Sequence, residues 1–323
     1  MKKVFNLISY VISIAVCIGI LYLGYFSYNN SDKALEYINN FWESKFDHKL
    51  IQDENEKNNY KELLNSGEVK NRNYIDAEFF PYYALLSETE KEVYYDILEG
   101  AQEYKEYVTP SRKIKIDQVS YIFHAVMFDH PELFWLDSKY SYDYYHNNDE
   151  VIKINLNYTS VINDIEHNRD IFNTAVNTIV DAAKTYELDY EKEKYVHDAL
   201  INIITYDENY KDDQSAFGAL IYNKGVCAGY AKAFQIIMTK LGIPTYYITG
   251  TAEGEHAWNL ILLDDGYYNI DLTWDDQVDR IIYKYYNVNE DMISKDHTRK
   301  DLSTKIVKAE GTKYINKYST LGD

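Results

Sequence analysis

Apolar positions along the chain fall into three textures. From Val4 to Phe26 they run almost unbroken, with Asn6, Ser9 and Ser13 as the clearly polar interruptions and no charge. Between residues 32 and 205 most recur at helical spacing, and after Asp207 short strand-like runs take over. A helix near 32–48 follows from Leu35, Ile38, Phe41, Trp42 and Phe46, and a polar spacer runs to about Arg72. Ser87-Glu88-Thr89-Glu90 is a capping box opening a helix through about Tyr104, with Val93, Tyr94, Ile97, Leu98 and Ala101 on one side. Another helix is expected over 118–129, ending before Pro131. Residues 138–145 and 150–158 alternate apolar and polar around His146-Asn147-Asn148-Asp149, a β-hairpin pattern. Two amphipathic helices follow over 160–186 and 190–205.

Most glycines lie beyond Asp207. A Gly-bearing loop from Ala216 to Gly225 leads to Cys227 and a helix to about Leu241, stopped by Gly242 and Pro244. Strands are expected over 244–250, 256–263 and 267–272. Asp264-Asp265-Gly266 makes a tight turn, because Asp-Gly tolerates the positive φ such turns need. A helix followed by an antiparallel meander is an α+β arrangement.

The apolar run at the N-terminus changes the picture first. Its 23 residues, preceded by Lys2 and Lys3, would span roughly 34 Å as a helix, enough for a hydrocarbon core. It exceeds a typical signal-peptide core, and no small-x-small site follows it at Gly24-Tyr25-Phe26, so an uncleaved anchor (residues 1–27) is expected over a cleaved signal peptide. Lys2 and Lys3 then keep the N-terminus cytoplasmic and place the rest outside, at the cell membrane. Of the two cysteines, Cys17 falls in this run, which leaves Cys227 as a lone thiol. With 33 Lys+Arg against 52 Asp+Glu the net charge is −19, which repels nucleic acid and anionic surfaces.

The candidate chemistry lies in three short stretches. Cys227 opens a helix in Gly225-Val226-Cys227-Ala228-Gly229, where free amides and the helix dipole favour a thiolate and can hold an oxyanion. His256 starts one strand in Glu255-His256-Ala257-Trp258-Asn259, and Asp271 ends the next. Pairing those strands about the Asp-Gly turn sets 256 opposite about 273–274, so His256 and Asp271 come within touching distance. Nucleophile, base and carboxylate orienter form a triad. Trp258 and Trp274 are read as core or cleft wall, and His297 as a solvated loop histidine. No cofactor or metal is expected: one available Cys with dispersed histidines makes no closed zinc site, and Asp275-Asp276-Gln277-Val278-Asp279 lacks the Gly and distal Glu of a calcium loop.

These residues also carry a resemblance. Asn223-Lys224-Gly225-Val226-Cys227-Ala228-Gly229-Tyr230-Ala231, His256-Ala257-Trp258-Asn259 and Asp271-Leu272-Thr273-Trp274-Asp275-Asp276 together resemble the bacterial transglutaminase-like superfamily. Roughly residues 195–290 take part, including Ser215-Ala216-Phe217-Gly218-Ala219-Leu220 and Leu241-Gly242-Ile243-Pro244. Ala228 stands where an acidic residue is frequent and Phe217 where Tyr is common. Residues 80–145, with Asp129-His130-Pro131-Glu132-Leu133-Phe134-Trp135, resemble the region that precedes this domain in related surface proteins. The resemblance implies a papain-like core, a Cys-bearing helix packed on an antiparallel sheet, with Cys227, His256 and Asp271 as its triad. The expected organisation is then an anchor (1–27), a polar helical spacer (28–73), a helical region with a β-hairpin (74–158) and a transglutaminase-like catalytic domain (159–323). The implied activity is thiol-dependent acyl transfer on a protein or peptide substrate at the cell envelope, by transamidation, deamidation or proteolysis. The alternatives are a non-catalytic cell-surface binding or scaffold module keeping the same fold, and an adhesin-like protein whose Cys227 forms one covalent bond.

Overall fold

The computed structural model describes residues 78–278, 280–315 and 317–318. The expected anchor at 1–27, with Cys17, and the helix near 32–48 lie outside the described residues. Among the described residues no helix is long and apolar enough to cross a membrane.

The chain begins with a short helix α1 (Pro81–Ala84) and α2 (Glu88–Gln102). The Ser87 capping box forms as expected: its hydroxyl accepts from the Glu90 amide at 3.4 Å, and the Glu90 carboxylate accepts from the Ser87 amide at 2.9 Å. After β1 (Tyr107–Val108), α3 (Ile116–Asp129) stops two residues short of Pro131. The hairpin is β2 (Leu136–Tyr145) and β3 (Glu150–Tyr158), and β1 joins it in a sheet ordered β1–β3–β2, a third strand too short for any sequence pattern. A 3₁₀ turn (Ser160–Asp164) then leads into α4 (Ile165–Ala183) and α5 (Asp189–Ile203).

The 216–225 stretch departs from its expectation. Ala216–Ile221 forms a helix, α6, lying between the two-residue strands β4 (Thr205–Tyr206) and β5 (Lys224–Gly225). The Ser215 hydroxyl accepts from the Gly218 amide at 3.0 Å and caps it. The helix is buried from Ala216 to Leu220, so it shows no amphipathic stripe to read.

Next come α7 (Cys227–Lys240) and the strands β6 (Thr245–Thr251), β7 (Glu255–Leu263) and β8 (Gly266–Ile270). Asp271 follows β8 as the N-cap of a one-turn helix, α8 (Leu272–Asp275), rather than lying within the strand. Further on, β9 (Asp276–Gln277) pairs with β10 (Arg280–Ile281), and α9 (Glu290–Ile293) leads to β11 (Thr298–Arg299) and a 3₁₀ turn (Asp301–Lys305). The main sheet is antiparallel in the order β11–β6–β7–β8, with α7 packed across β6 and β7. This is an α+β fold, a Cys-bearing helix packed on an antiparallel sheet.

One apolar core runs through all of it, from Tyr82 and Phe123 through Phe172 and Phe234 to Leu260 and Tyr314. The expected 74–158 and 159–323 segments share this core, and Gln235 of α7 donates to the Phe128 carbonyl of α3 at 2.9 Å. The Asp129–Trp135 stretch acts within it. Asp129 accepts from the Tyr82 and Tyr83 amides at 3.2 and 2.7 Å, Phe134 stacks on Phe217 at 4.8 Å, and Trp135 donates to the Ala101 carbonyl at 2.9 Å.

Candidate active site

Each of the three chemical residues sits at the end of an element. Cys227 is the first residue of α7, half-buried beside Ala228, Ala231, Tyr247, Ala257 and Phe128. The helix start is held by the loop before it, since the Val226 amide donates to the Asp213 carbonyl at 3.1 Å. Gly229 makes that approach possible: a Cβ there would stand 2.7 Å from the Asp213 oxygen. The Gly229 and Tyr230 amides already donate to the Val226 carbonyl at 2.9 and 3.2 Å, so the helix-start donors beside the thiol are the amides of Cys227 and Ala228.

His256 lies on β7, tied to the Cys helix by Asn259 three residues on. The Asn259 side-chain amide is buried and donates to the Ala231 carbonyl of α7 at 2.9 Å and to the Tyr246 carbonyl of β6 at 3.2 Å. Helix and strand are thus locked in register, so Asn259 holds the frame of the site. The β7–β8 register, with Asn259 opposite Ile270 and Leu263 opposite Gly266, carries the chain back to Asp271.

His256 Nε2 donates to Asp271 Oδ2 at 2.7 Å, and the Cys227 thiol stands within electrostatic reach of the same ring. Burial opposes a charge on this ring, but the hydrogen bonds and charges of Asp271 and Cys227 outweigh it and push His256 up to about 10. Asp271 Oδ1 accepts from the amides of Thr273 and Trp274 at 2.9 and 3.2 Å. Burial would push its carboxyl up, yet the donors and positive charge of His256 and a second histidine hold it below the usual range.

That second histidine is His297, and the expectation of a solvated loop residue is overturned. It is 3% exposed, donates from Nε2 to the same Asp271 Oδ2 at 3.0 Å, and pairs through Nδ1 with Asp296 Oδ1 at 2.7 Å. Trp274, Trp258 and Tyr285 surround it at 4.6, 5.1 and 5.3 Å between ring centres. Trp258 is core, its indole donating to Asn269 at 3.0 Å, and the half-buried Trp274 walls the site, as expected. Lys232, on the Cys helix, also went unread. Its amine donates to the Gln214 carbonyl at 3.0 Å, and burial pulls it down to about 8 against the attraction of Cys227. Tyr206 and Tyr247 stand within electrostatic reach of the same sulfur.

One group of potential metal ligands occurs among the described residues: atoms of His256, Asp271 and His297 lie within 4.8 Å of one another. Both Nε2 atoms already point at one carboxylate oxygen at N–H donor distances. A metal would need both nitrogens stripped of their protons, and His256 holds its own tightly. The donor set fits a hydrogen-bonded relay better than a metal centre. In the acidic run that follows Trp274, Asp275 is buried against His197 at 3.4 Å and Asp276 accepts from the Tyr230 hydroxyl at 2.7 Å, so both carboxylates are already engaged.

A Cys-bearing helix on an antiparallel sheet, with His and Asp at adjacent strand ends, makes an α+β centre of Cys, His and Asp. Residues 175–272, which contain all three residues, match the family model of the transglutaminase-like superfamily. Among solved structures, one described as a TGase is similar at 17% identity and a TM-score of 0.31, covering 54% of this chain and 52% of its own. Another, provisionally described as a cysteine protease from Cytophaga hutchinsonii, is similar at 15% identity and a TM-score of 0.31, covering 50% of this chain and 65% of its own. The chain thus spans between half and two thirds of the structures it resembles. No curated protein matches it.

Proposed function

We propose that the protein is an extracytoplasmic, membrane-anchored thiol acyltransferase acting on carboxamide or peptide bonds of proteins or peptides, with Cys227 as nucleophile. One observation carries the reading: a single imidazole, His256, donates to a buried carboxylate at 2.7 Å while standing within electrostatic reach of the Cys227 thiol. Cys227 Sγ, its proton already on His256, attacks the substrate carbonyl as a thiolate, and the first-turn amides of α7 stabilise the oxyanion. His256 returns the proton to the departing amine or ammonia, leaving a thioester. An incoming amine then gives transamidation, whereas water gives deamidation or proteolysis, each regenerating the thiol. Asp271 holds the imidazole in the Nε2–H tautomer and stabilises its charged form. Placement outside the membrane rests on the charge-free run at 4–26 and the lysines before it.

The test is mass spectrometry of a glutamine-containing peptide library incubated with the soluble part and an amine. Transamidation adds the amine less ammonia, deamidation adds about one dalton, and proteolysis shortens the chain. Loss of every such change in Cys227→Ala is expected. Persistence in that variant, or no change with the native protein, would remove the reading in favour of a binding module.

A further inference from the structure

The reaction drawn above needs one histidine, yet two share the Asp271 carboxylate. Oδ1 of Asp271 is fixed by two backbone amides, while Oδ2 accepts from His256 at 2.7 Å and from His297 at 3.0 Å. Without the second donor, Oδ2 would be held from the His256 side alone. His297 is itself fixed. Its Nδ1 faces Asp296, whose other oxygen accepts from the Tyr285 hydroxyl at 2.7 Å, and Lys284 donates to that hydroxyl at 2.8 Å. Its amide donates to the Ile293 carbonyl at 2.9 Å, and the next residue starts β11, where Thr298 pairs with Thr251 and Arg299 with Gly250. Gly250 also faces His256 across β6 and β7, so the two histidines border the same glycine strand.

Resting on the acyl-transfer reading, we propose that His297 is a positioning residue of the Cys227 centre: by sharing Asp271 Oδ2 it fixes the carboxylate, and through it the His256 ring, in the orientation proton transfer needs. The ionisable groups facing His297 are Asp271, Asp296, Tyr285 and His256. A donor at Nε2 is the essential feature. Gln can present its amide where Nε2 stands, whereas the shorter Asn reaches the Nδ1 position and faces Asp296.

The test compares His297→Gln, His297→Asn and His297→Leu, with two probes. Iodoacetamide alkylation of Cys227 against pH reports the thiolate–imidazolium pair, and p-nitrophenyl acetate turnover reports proton transfer. In the Asn and Leu variants we expect kcat to fall about 10–100-fold with KM within about twofold, in line with the loss of an orienting partner. The acid midpoint of alkylation should rise by at least half a pH unit in both. Gln should stay within about threefold of wild type. Should Leu unfold by circular dichroism, the Gln–Asn pair still decides. Wild-type behaviour of the Asn variant, or a Gln variant as impaired as Asn, overturns the role of His297. If His256→Ala leaves wild-type alkylation unchanged, the acyl-transfer reading falls and takes this one with it.

Discussion

Asp271→Asn tests the electrostatic core of the site. The substitution keeps the shape of the side chain, removes its charge and replaces one acceptor oxygen with an NH₂ donor. All four contacts of the carboxylate are with N–H donors: the Thr273 and Trp274 amides, His256 and His297. At least one therefore becomes a donor facing a donor, at about 1–3 kcal/mol of stability. The larger effect is on His256, which lies at about 10 instead of 6.5, on the order of 5 kcal/mol in favour of the charged ring at 1.36 kcal/mol per unit. Asp271 and Cys227 share that effect, so losing the carboxylate should lower His256 by roughly 1–3 units. The measurement is a ring carbon NMR titration of His256, assigned with a His256→Gln variant. The wild-type ring should titrate near 10 and the variant ring between about 7 and 9. Turnover should drop roughly 10³–10⁴-fold, since the tautomer is no longer fixed. The stability linkage has a definite sign. A raised His256 stabilises the fold fully below about 6.5, an advantage lost as pH rises through about 10. The lowered Asp271 carboxyl stabilises it above about 3.9, an advantage lost on acidification. A wild-type His256 titrating near 6.5, or one unmoved by Asp271→Asn, would refute this account.

Three more outcomes follow from the same contacts. Gly250→Ala places a Cβ 2.1 Å from the Thr298 carbonyl and 2.7 Å from the Trp258 ring, so β11 must lift and carry His297 off Asp271. Overpacking of this kind costs about 1–3 kcal/mol, and a thermal melt unchanged from wild type would show that the strand gives way freely. Glu193 is buried and pushed up to about 7, with its carboxylate accepting from Asn287 at 2.9 Å. Its ionisation therefore opposes folding increasingly from about pH 4 upwards, so Glu193→Gln should raise Tm by about 7–14 °C at pH 8 and hardly at all near pH 4. Lys232, pulled down to about 8, should acylate at pH 8 ahead of the other lysines in competitive labelling read by mass spectrometry, and equal rates would contradict that lowering.

Much of this centre was readable from the sequence, for a geometric reason. A two-strand turn at Asp264-Asp265-Gly266 fixes a register, and counting back from it brings His256 and Asp271 together without knowledge of any other contact. Cys227 was readable because Gly225 and the helix pattern mark a helix start, and chemistry favours a thiol there. The capping box at Ser87 and the hairpin at 138–158 were equally local. The features that escaped reading depend on long-range packing. Helix α6 is apolar on every side, so its glycine read as a loop where burial makes it a helix. His297 lies 26 residues from Asp271 and reaches it just ahead of an edge strand of two residues, which leaves no periodic trace. Its burial depends on Gly250, 47 positions earlier, having no side chain where Thr298 docks. A solvated loop was the reasonable expectation from Ser294-Lys295-Asp296-His297, and sheet docking reversed it. The same contrast separates the two parts of the centre: His256 is paired by the local hairpin, whereas the second donor to its carboxylate is present only when the C-terminal segment has folded back onto the sheet. A chain cut before β11 should therefore retain Cys227, His256 and Asp271 in sequence and lose the arrangement that holds the carboxylate from both sides.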